Sequence, residues 1–422
     1  MTKFLVEGGN PLTGVVNIKA AKNAVLPLLA AVILTDGKTV LRNVPRITDV
    51  ENLLTILSGL GVVVKWCDGD LHLDTTNITY ADINEEAAKK IRGSIFVLGS
   101  LIGRFRQARL PLPGGCSIGK RPIDLHLYGL KELGVRVREY DGILECMLKR
   151  GRDAEVFLDF PSVGATENLM MAACIGKKTV KIVNAAKEPE VVDLANFLNN
   201  AGACIKGAGT DTIIIQGVQS LKGIDFTPIP DRIVTASFML AVATIGGDVL
   251  IKNVIPEHNA NLIKRLLQSG TTVSSAGNSL RVISNKRRRS YSAQTGPYPG
   301  FPTDIQSQYA TFSCLTTGTT YIVENMFEDR FKYVVELGKL GAFICVKGKT
   351  AKIKPVKKFH AGTKDNPVVV KGAELRGGFS LVMAALAAEG HSIIEGVEFI
   401  DRGYERLEED FTKLGARIQR LG

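Results

Sequence analysis

Between Leu110 and Asp124 runs Leu-Pro-Leu-Pro-Gly-Gly-Cys-Ser-Ile-Gly-Lys-Arg-Pro-Ile-Asp, which sets one thiol beside two cations. Pro111, Pro113, Gly114, Gly115 and Gly119 suit neither a helix nor an inner strand, so the stretch is predicted to be a loop. Lys120 and Arg121 would lower the pKa of the Cys116 thiol, and the thiolate is the reactive form. Cys116 is therefore either a reactive loop thiol or a packing cysteine in a turn shaped by glycines.

Cations also stand where local helix energetics would not put them. Lys22-Asn23, Arg92, Asp231-Arg232 and Arg376 lie at the starts of apolar helices, as do Ser162-Val163-Gly164 and Thr303-Asp304. A helix N-terminus carries free N–H groups and the positive end of the macrodipole, so it favours anions. Each cation taken singly suggests a carboxylate partner within its own domain. Together with Arg121, Arg330 and Arg402 they suggest a pocket for a substrate with several negative charges, since arginine binds carboxylate and phosphate through paired hydrogen bonds. Asp304, after Phe301-Pro302-Thr303, is either a helix cap or a general base among arginines. Asp401-Arg402-Gly403-Tyr404-Glu405-Arg406 by itself marks only a helix start.

The elements that must position these residues repeat. A strand ending in Asn or Gly, an amphipathic helix, and a small-Gly-small step into a second strand recur along the chain. Their closing glycines are Gly61, Gly134, Gly202, Gly270, Gly341 and Gly415, at intervals of 73, 68, 68, 71 and 74 residues. Such a period marks a repeat architecture, and glycine suits each place because helices commonly end at positive φ. A second helix precedes the strand in at least five copies, over 22–33, 164–175, 231–245, 304–315 and 376–388; residues 85–105 supply it in the remaining copy. These helices are apolar around most of their circumference, which predicts that they lie inside a domain. Six such units exceed one core, so two domains of three are expected, joined near Thr227-Pro228-Ile229-Pro230-Asp231. Residues 213–231 echo the start of the chain, as though each domain opened with the same hairpin, and the two domains are expected to enclose a cleft.

Composition narrows the partners. With 422 residues, 45% hydrophobic and 23% charged, the chain is an ordinary globular protein. No apolar run is long enough for a membrane span and the first residues do not open a signal peptide, so a cytosolic protein with no membrane partner is expected. The net charge of +11 favours an anionic partner, while Lys286-Arg287-Arg288-Arg289 is predicted to be a solvated loop. A basic repeat protein binding nucleic acid is disfavoured: aromatics make up 6% of the chain and Trp occurs once. Seven cysteines without Cys-x-x-Cys spacing and scattered histidines predict no disulfide framework and no zinc site. Cys67, Cys146, Cys174, Cys204, Cys314 and Cys345 are expected to be buried and slow to react.

Five motifs in order resemble the UDP-N-acetylglucosamine 1-carboxyvinyltransferases, an enolpyruvyl transferase family. They are Ala21-Lys22-Asn23-Ala24, Pro113–Pro122, Ser162-Val163-Gly164-Ala165-Thr166, Phe301-Pro302-Thr303-Asp304 and Asp401-Arg402-Gly403-Tyr404-Glu405-Arg406. The resemblance covers nearly the whole chain. It implies an α/β fold of two similar domains, each of three βαβαββ units in an inside-out α/β barrel. These would be residues 20–230, and 1–19 joined with 231–422. It also implies transfer of an enolpyruvyl group from phosphoenolpyruvate to the sugar 3′-hydroxyl, with release of phosphate, in peptidoglycan precursor synthesis. No metal or cofactor is implied.

Residue by residue, Cys116 matches the family's proton-donating thiol, and Lys22, Arg121 and Arg402 match the cations around phosphoenolpyruvate. Asn23 matches a residue near the reacting centre, and Asp304 the carboxylate near the 3′-hydroxyl. Arg92, Arg121, Pro122, Ile123, Asp124, Leu125, Ser162, Val163 and Met326 match nucleotide-sugar contacts. Arg330 and Arg376 match arginines lining the cleft. The chain departs from the family at Lys19-Ala20, usually Ser-Gly, at Phe160, usually cationic, and at Glu374, usually Asp. The shikimate-pathway enolpyruvyl transferase, with the same fold and donor, lacks the cysteine loop.

Overall fold

In the computed structural model of the chain, the described residues are 2–83, 95–112, 123–284 and 288–422. They form two compact units, one of residues 2–19 with 230–422 and one of the described residues between 20 and 229. Each unit has its own apolar core.

The repeat has a stereochemical signature. Gly61, Gly134, Gly202, Gly270, Gly341 and Gly415 all sit at φ between 86° and 111°, where a Cβ would press on the following carbonyl. The asparagines ending the repeat strands answer the same demand: Asn43, Asn184 and Asn253 have φ of 53°, 58° and 56°. Asparagine tolerates this region because its side chain bonds locally. Asn184 Nδ2 donates to the Leu158 carbonyl at 2.7 Å, Asn253 Nδ2 to Ile18 at 2.6 Å, and Asn325 Nδ2 to Thr295 at 3.1 Å. Each of those carbonyls lies one residue beyond a parallel neighbouring strand, where ladder pairing has ended. The asparagine thus satisfies a carbonyl that the sheet leaves open.

Among the described residues, five of the seven sheets share one strand order. In the unit of 230–422, Leu12–Asn17 runs parallel to Gly247–Lys252, followed by the antiparallel Ser279–Ser284 and Thr272–Ala276. The sheet of Val368–Lys371, Gly390–Glu395 and Arg417–Leu421 receives Lys3–Gly8 as the strand between the last two. The opening segment is therefore no hairpin. Lys3–Gly8 and Leu12–Asn17 lie in different sheets, each filling a place that the local repeat leaves vacant. The echo at 213–231 behaves alike: Thr212–Gln216 completes one sheet and Asp225–Phe226 edges another.

The helices Lys22–Val32, Phe96–Phe105, Val163–Cys174, Arg232–Ile245, Gln306–Cys314 and Leu375–Ala387 fill the interiors. One departs from the expected composition. Gln306–Cys314 is wholly buried yet carries Gln306, Ser307, Gln308, Thr311 and Ser313. Thr311 and Ser313 return their hydroxyl protons to the carbonyls of Ser307 and Tyr309, a local way to satisfy a buried hydroxyl. Gln308 turns its amide toward Ser237 on the helix Arg232–Ile245 and toward Tyr404 instead.

Candidate active site

In the unit of 230–422, the sequence-predicted residues Asp304, Arg330 and Arg376 converge. Thr303–Ile305 forms a short 3-10 turn ahead of Gln306–Cys314, and neither segment has a side-chain cap. The N-cap positions of the two segments are Pro302 and Ile305, so Asp304 occupies neither. Its carboxylate instead accepts from Arg330 Nη2 at 2.8 Å on Oδ1 and from Arg376 Nη2 at 3.4 Å on Oδ2. Both guanidiniums are buried, at 3% exposure each. Two guanidiniums thus flank one carboxylate, one on each oxygen.

The cations are themselves held. Glu374 caps Leu375–Ala387, accepting from the Arg376 and Gly377 amides, and its Oε2 lies 3.6 Å from Arg330 Nη1. The departure from Asp to Glu at this position thus leaves a carboxylate that both caps the helix and meets Arg330. Burial disfavours the charge on Arg376, but Tyr404, Asp304 and Asp231 outweigh burial and raise its pKa above the ordinary arginine value. Asp231 caps Arg232–Ile245 through the Ile233 and Val234 amides.

Met326 sits on a turn organised by a residue that sequence reasoning missed. Glu324, 1% exposed, accepts from the hydroxyls of Thr295 and Thr303 and from the amides of Met326 and Phe327. It links the Thr303 turn directly to Met326. Arg402 is half-buried, between Asp401, which pairs with Arg420, and Glu405, which pairs with Lys19 at 2.7 Å. That pair gives Lys19, a departure from the family pattern, a structural place.

In the other unit, Lys22 opens its buried helix and pairs with Asp49 at 2.7 Å, both side chains nearly enclosed. Asn23 follows it half-buried. Ile123, Asp124, Leu125, Ser162 and Val163 lie at the starts of Asp124–Glu132 and Val163–Cys174. Two residues unnoticed in the sequence hold these starts together. Asn168 Nδ2 donates to His126 Nδ1 at 3.1 Å and to the Gly164 carbonyl at 3.2 Å, and its Oδ1 accepts from the Gly99 amide at 2.6 Å. Because Nδ1 accepts, His126 is neutral with its proton on Nε2. Burial pushes its pKa down to about 4, against a small opposing pull from Asp124. The only sequence signal was a polar pair placed on otherwise apolar helix faces.

Arg92, Cys116, Arg121 and Pro122 lie outside the described residues, as does Lys120. Two expectations need correction. Cys146, Cys174 and Cys314 are buried, with pKa values pushed up to about 12 chiefly by burial, but Cys67 and Cys204 are half-buried and Cys345 is exposed. Their strands have one face toward solvent, so lying on a strand did not imply burial. Of the basic run at 286–289, Lys286 and Arg287 lie outside the described residues and Arg289 is exposed as expected, but Arg288 is half-buried. It turns inward, reaching the Thr244 carbonyl at 3.3 Å, and burial lowers its pKa to about 10. Phe160 is an exposed aromatic ahead of Ser162.

Residues 6–411 match the family model described as EPSP synthase (3-phosphoshikimate 1-carboxyvinyltransferase). The chain is 45% identical to "UDP-N-acetylglucosamine 1-carboxyvinyltransferase 2" of Carboxydothermus hydrogenoformans, covering 100% of both chains. It is 44% identical to the UDP-N-acetylglucosamine 1-carboxyvinyltransferase of Clostridium botulinum, again with 100% of both covered. Among solved structures it is similar to the enolpyruvyl transferase NikO from Streptomyces tendae, with a TM-score of 0.88 at 24% identity, covering 100% of this chain and 99% of that one. EPSP synthase from Acinetobacter baumannii shares the fold at a TM-score of 0.75 and 15% identity, with 100% of both covered. With this fold, full-length identity of this order and an arginine-held carboxylate at the start of a buried helix, the chain belongs to the enolpyruvyl transferases, in the family of the UDP-N-acetylglucosamine 1-carboxyvinyltransferases.

Proposed function

We propose that this chain transfers the enolpyruvyl group of phosphoenolpyruvate to the 3′-hydroxyl of UDP-N-acetylglucosamine, releasing phosphate, as a cytoplasmic step of peptidoglycan precursor synthesis. The structural observation that carries the proposal is Asp304, bonded on its two oxygens to Arg330 and Arg376. A carboxylate so held is oriented to take a proton from a hydroxyl while its own charge stays compensated.

The chemistry divides among the residues as follows. Cys116 gives a proton to the methylene carbon of phosphoenolpyruvate, leaving an oxocarbenium-like centre on the neighbouring carbon. Asp304 takes the proton of the 3′-hydroxyl as its oxygen bonds to that centre. The Cys116 thiolate left by the first step then takes a proton back from the new methyl group as the carbon–oxygen bond to phosphate breaks, which restores the double bond, and the proton held by Asp304 leaves with the phosphate. Lys22, Arg121 and Arg402 compensate the phosphate and carboxylate charges, with Asn23 beside the reacting centre. Arg92, Arg121, Pro122, Ile123, Asp124, Leu125, Ser162, Val163 and Met326 hold the nucleotide sugar.

The test is phosphate release with phosphoenolpyruvate and either UDP-N-acetylglucosamine or shikimate 3-phosphate, the second acceptor being prompted by the name of the matching family model. Release with the nucleotide sugar alone among the acceptors, undiminished by a chelator, is the expected result. Release only with shikimate 3-phosphate, or full loss in chelator restored by a divalent metal, overturns the proposal.

A further inference from the structure

Tyr404 lies 3% exposed, its ring stacked on Phe379 at 4.6 Å between centroids. Around its hydroxyl, four hydrogen bonds leave little freedom in where the protons lie. Ser237 Oγ is 2.8 Å from the Ile233 carbonyl, which can only accept, so the serine proton goes there. Ser237 and Tyr404 oxygens are 2.8 Å apart, so the tyrosine proton must point at Ser237. The phenolic oxygen is then purely an acceptor toward Gln308 Nε2 at 3.4 Å and Arg376 Nη1 at 3.2 Å. Gln308 Nε2 also donates to Ser237 at 3.2 Å, and its own oxygen accepts from Ser307. The Arg376 guanidinium carbon further lies 5.5 Å from the centroid of the Tyr404 ring.

Arg376 is thus shared between a neutral acceptor, Tyr404, and a charged one, Asp304. Its contact with Tyr404 is 3.2 Å and its contact with Asp304 is 3.4 Å. A guanidinium unopposed on its other side would close on the carboxylate, because opposite charges in a poorly hydrated site attract more strongly than a cation and a phenol. We infer that Tyr404 is a positioning residue: by taking one edge of Arg376 it keeps this arginine from clamping Asp304, which leaves the carboxylate basic enough to accept the substrate's hydroxyl proton. The inference rests on the proposed role of Asp304 and adds a residue that acts on it through Arg376.

Charged groups about this site among the described residues include Arg330 on the second oxygen of Asp304, Glu374 beside Arg330, and Asp231, which acts on both Arg376 and Tyr404. Tyr404 itself stays protonated, since burial raises its pKa and the opposing pulls of Arg376 and Ser237 do not cancel that. Tyr404→Phe retains the ring against Phe379 and removes only the acceptor. Arg376 then turns to Asp304, its anionic form is favoured, and more acid is needed to protonate it.

The expected result is a fall in kcat of about 10-fold with little change in KM for the nucleotide sugar, and an acid limb of the kcat–pH profile moved to lower pH by about 0.5 unit or more. In an Asp304→Asn background the same change should have no further effect on kcat, because its target is gone. A merely structural tyrosine would instead lower the melting temperature, leave the limb in place and multiply the loss in the double variant. Wild-type kcat with an unmoved limb in Tyr404→Phe overturns the inference. If that variant does not fold, Ser237→Ala takes its place: losing the acceptor of the phenolic proton loosens the phenol, and the limb should move the same way by less. An unmoved limb there overturns the inference equally. Failure of the wild-type chain to use the nucleotide sugar would instead strike the proposed function, so the two failures remain distinct.

Discussion

Asp304 accepts from two buried guanidiniums, one on each oxygen, which distinguishes it from a carboxylate that only caps a helix. Asp304→Asn keeps the shape, but its amide is a far weaker base. Turnover should fall by about 10²-fold or more while equilibrium titration still detects binding of the nucleotide sugar. Near wild-type turnover would reduce Asp304 to an anchor for Arg330 and Arg376. Cys116 permits a second test at this scale. An epoxide phosphonate resembling phosphoenolpyruvate, such as fosfomycin, should alkylate it when the nucleotide sugar is present, and peptide mapping should find the adduct there. Cys345 is the internal control, being exposed, whereas Cys146, Cys174 and Cys314 have thiols made poorly acidic by burial. An adduct chiefly on Cys345 would show simple exposure at work; an adduct on Cys116 that disappears in Cys116→Asp would show a bound, oriented reagent.

At the scale of elements, the starts of Asp124–Glu132 and Val163–Cys174 depend on a buried histidine kept neutral. Its folded pKa is about 4 against an ordinary 6.5, so between those values the unfolded chain binds a proton that the folded chain refuses. Stability is therefore full above about pH 6.5 and is lost as pH falls toward 4, by about 3 kcal/mol at most. His126→Asn retains an acceptor for Asn168 but has no proton to gain. Urea unfolding across this range should show a variant less stable near neutrality, through lost volume, yet with a flatter pH dependence. An equally steep dependence would assign the acid sensitivity to another group.

The whole molecule depends on its first strand in a way that chain order hides. Lys3–Gly8 lies between Gly390–Glu395 and Arg417–Leu421, burying Phe4 and Val6 completely. Arg420 covers Phe4, its guanidinium carbon 5.0 Å from the ring centroid. A chain beginning at Asn10 would leave both neighbours with unpaired backbone groups and open the core beneath them. Calorimetry of that truncated chain should show the unit of 230–422 lost or melting much earlier, with the transition of the 20–229 unit kept. A single unchanged transition would show that the strand is dispensable.

Repeat period, positive-φ glycines and buried helices were legible in the sequence because each follows from local stereochemistry or from a pattern along one element. Gly202 and Gly415, for instance, announce helix ends wherever the chain goes next. The family resemblance gave Asp304 one role and Arg330 and Arg376 another, but not that they would bond to one another. What only the tertiary structure decided are relations between residues far apart in the chain: the two arginines on Asp304, Glu324 joining Thr303 to Met326, and Tyr404 sharing Arg376 with Asp304. Lys3–Gly8 belongs with strands near residues 390 and 420 for the same reason. Hydrophobic periodicity states which face of an element is buried; the partner on that face, and hence the ionisation and orientation of a polar side chain there, is set by packing between elements that the linear order does not contain.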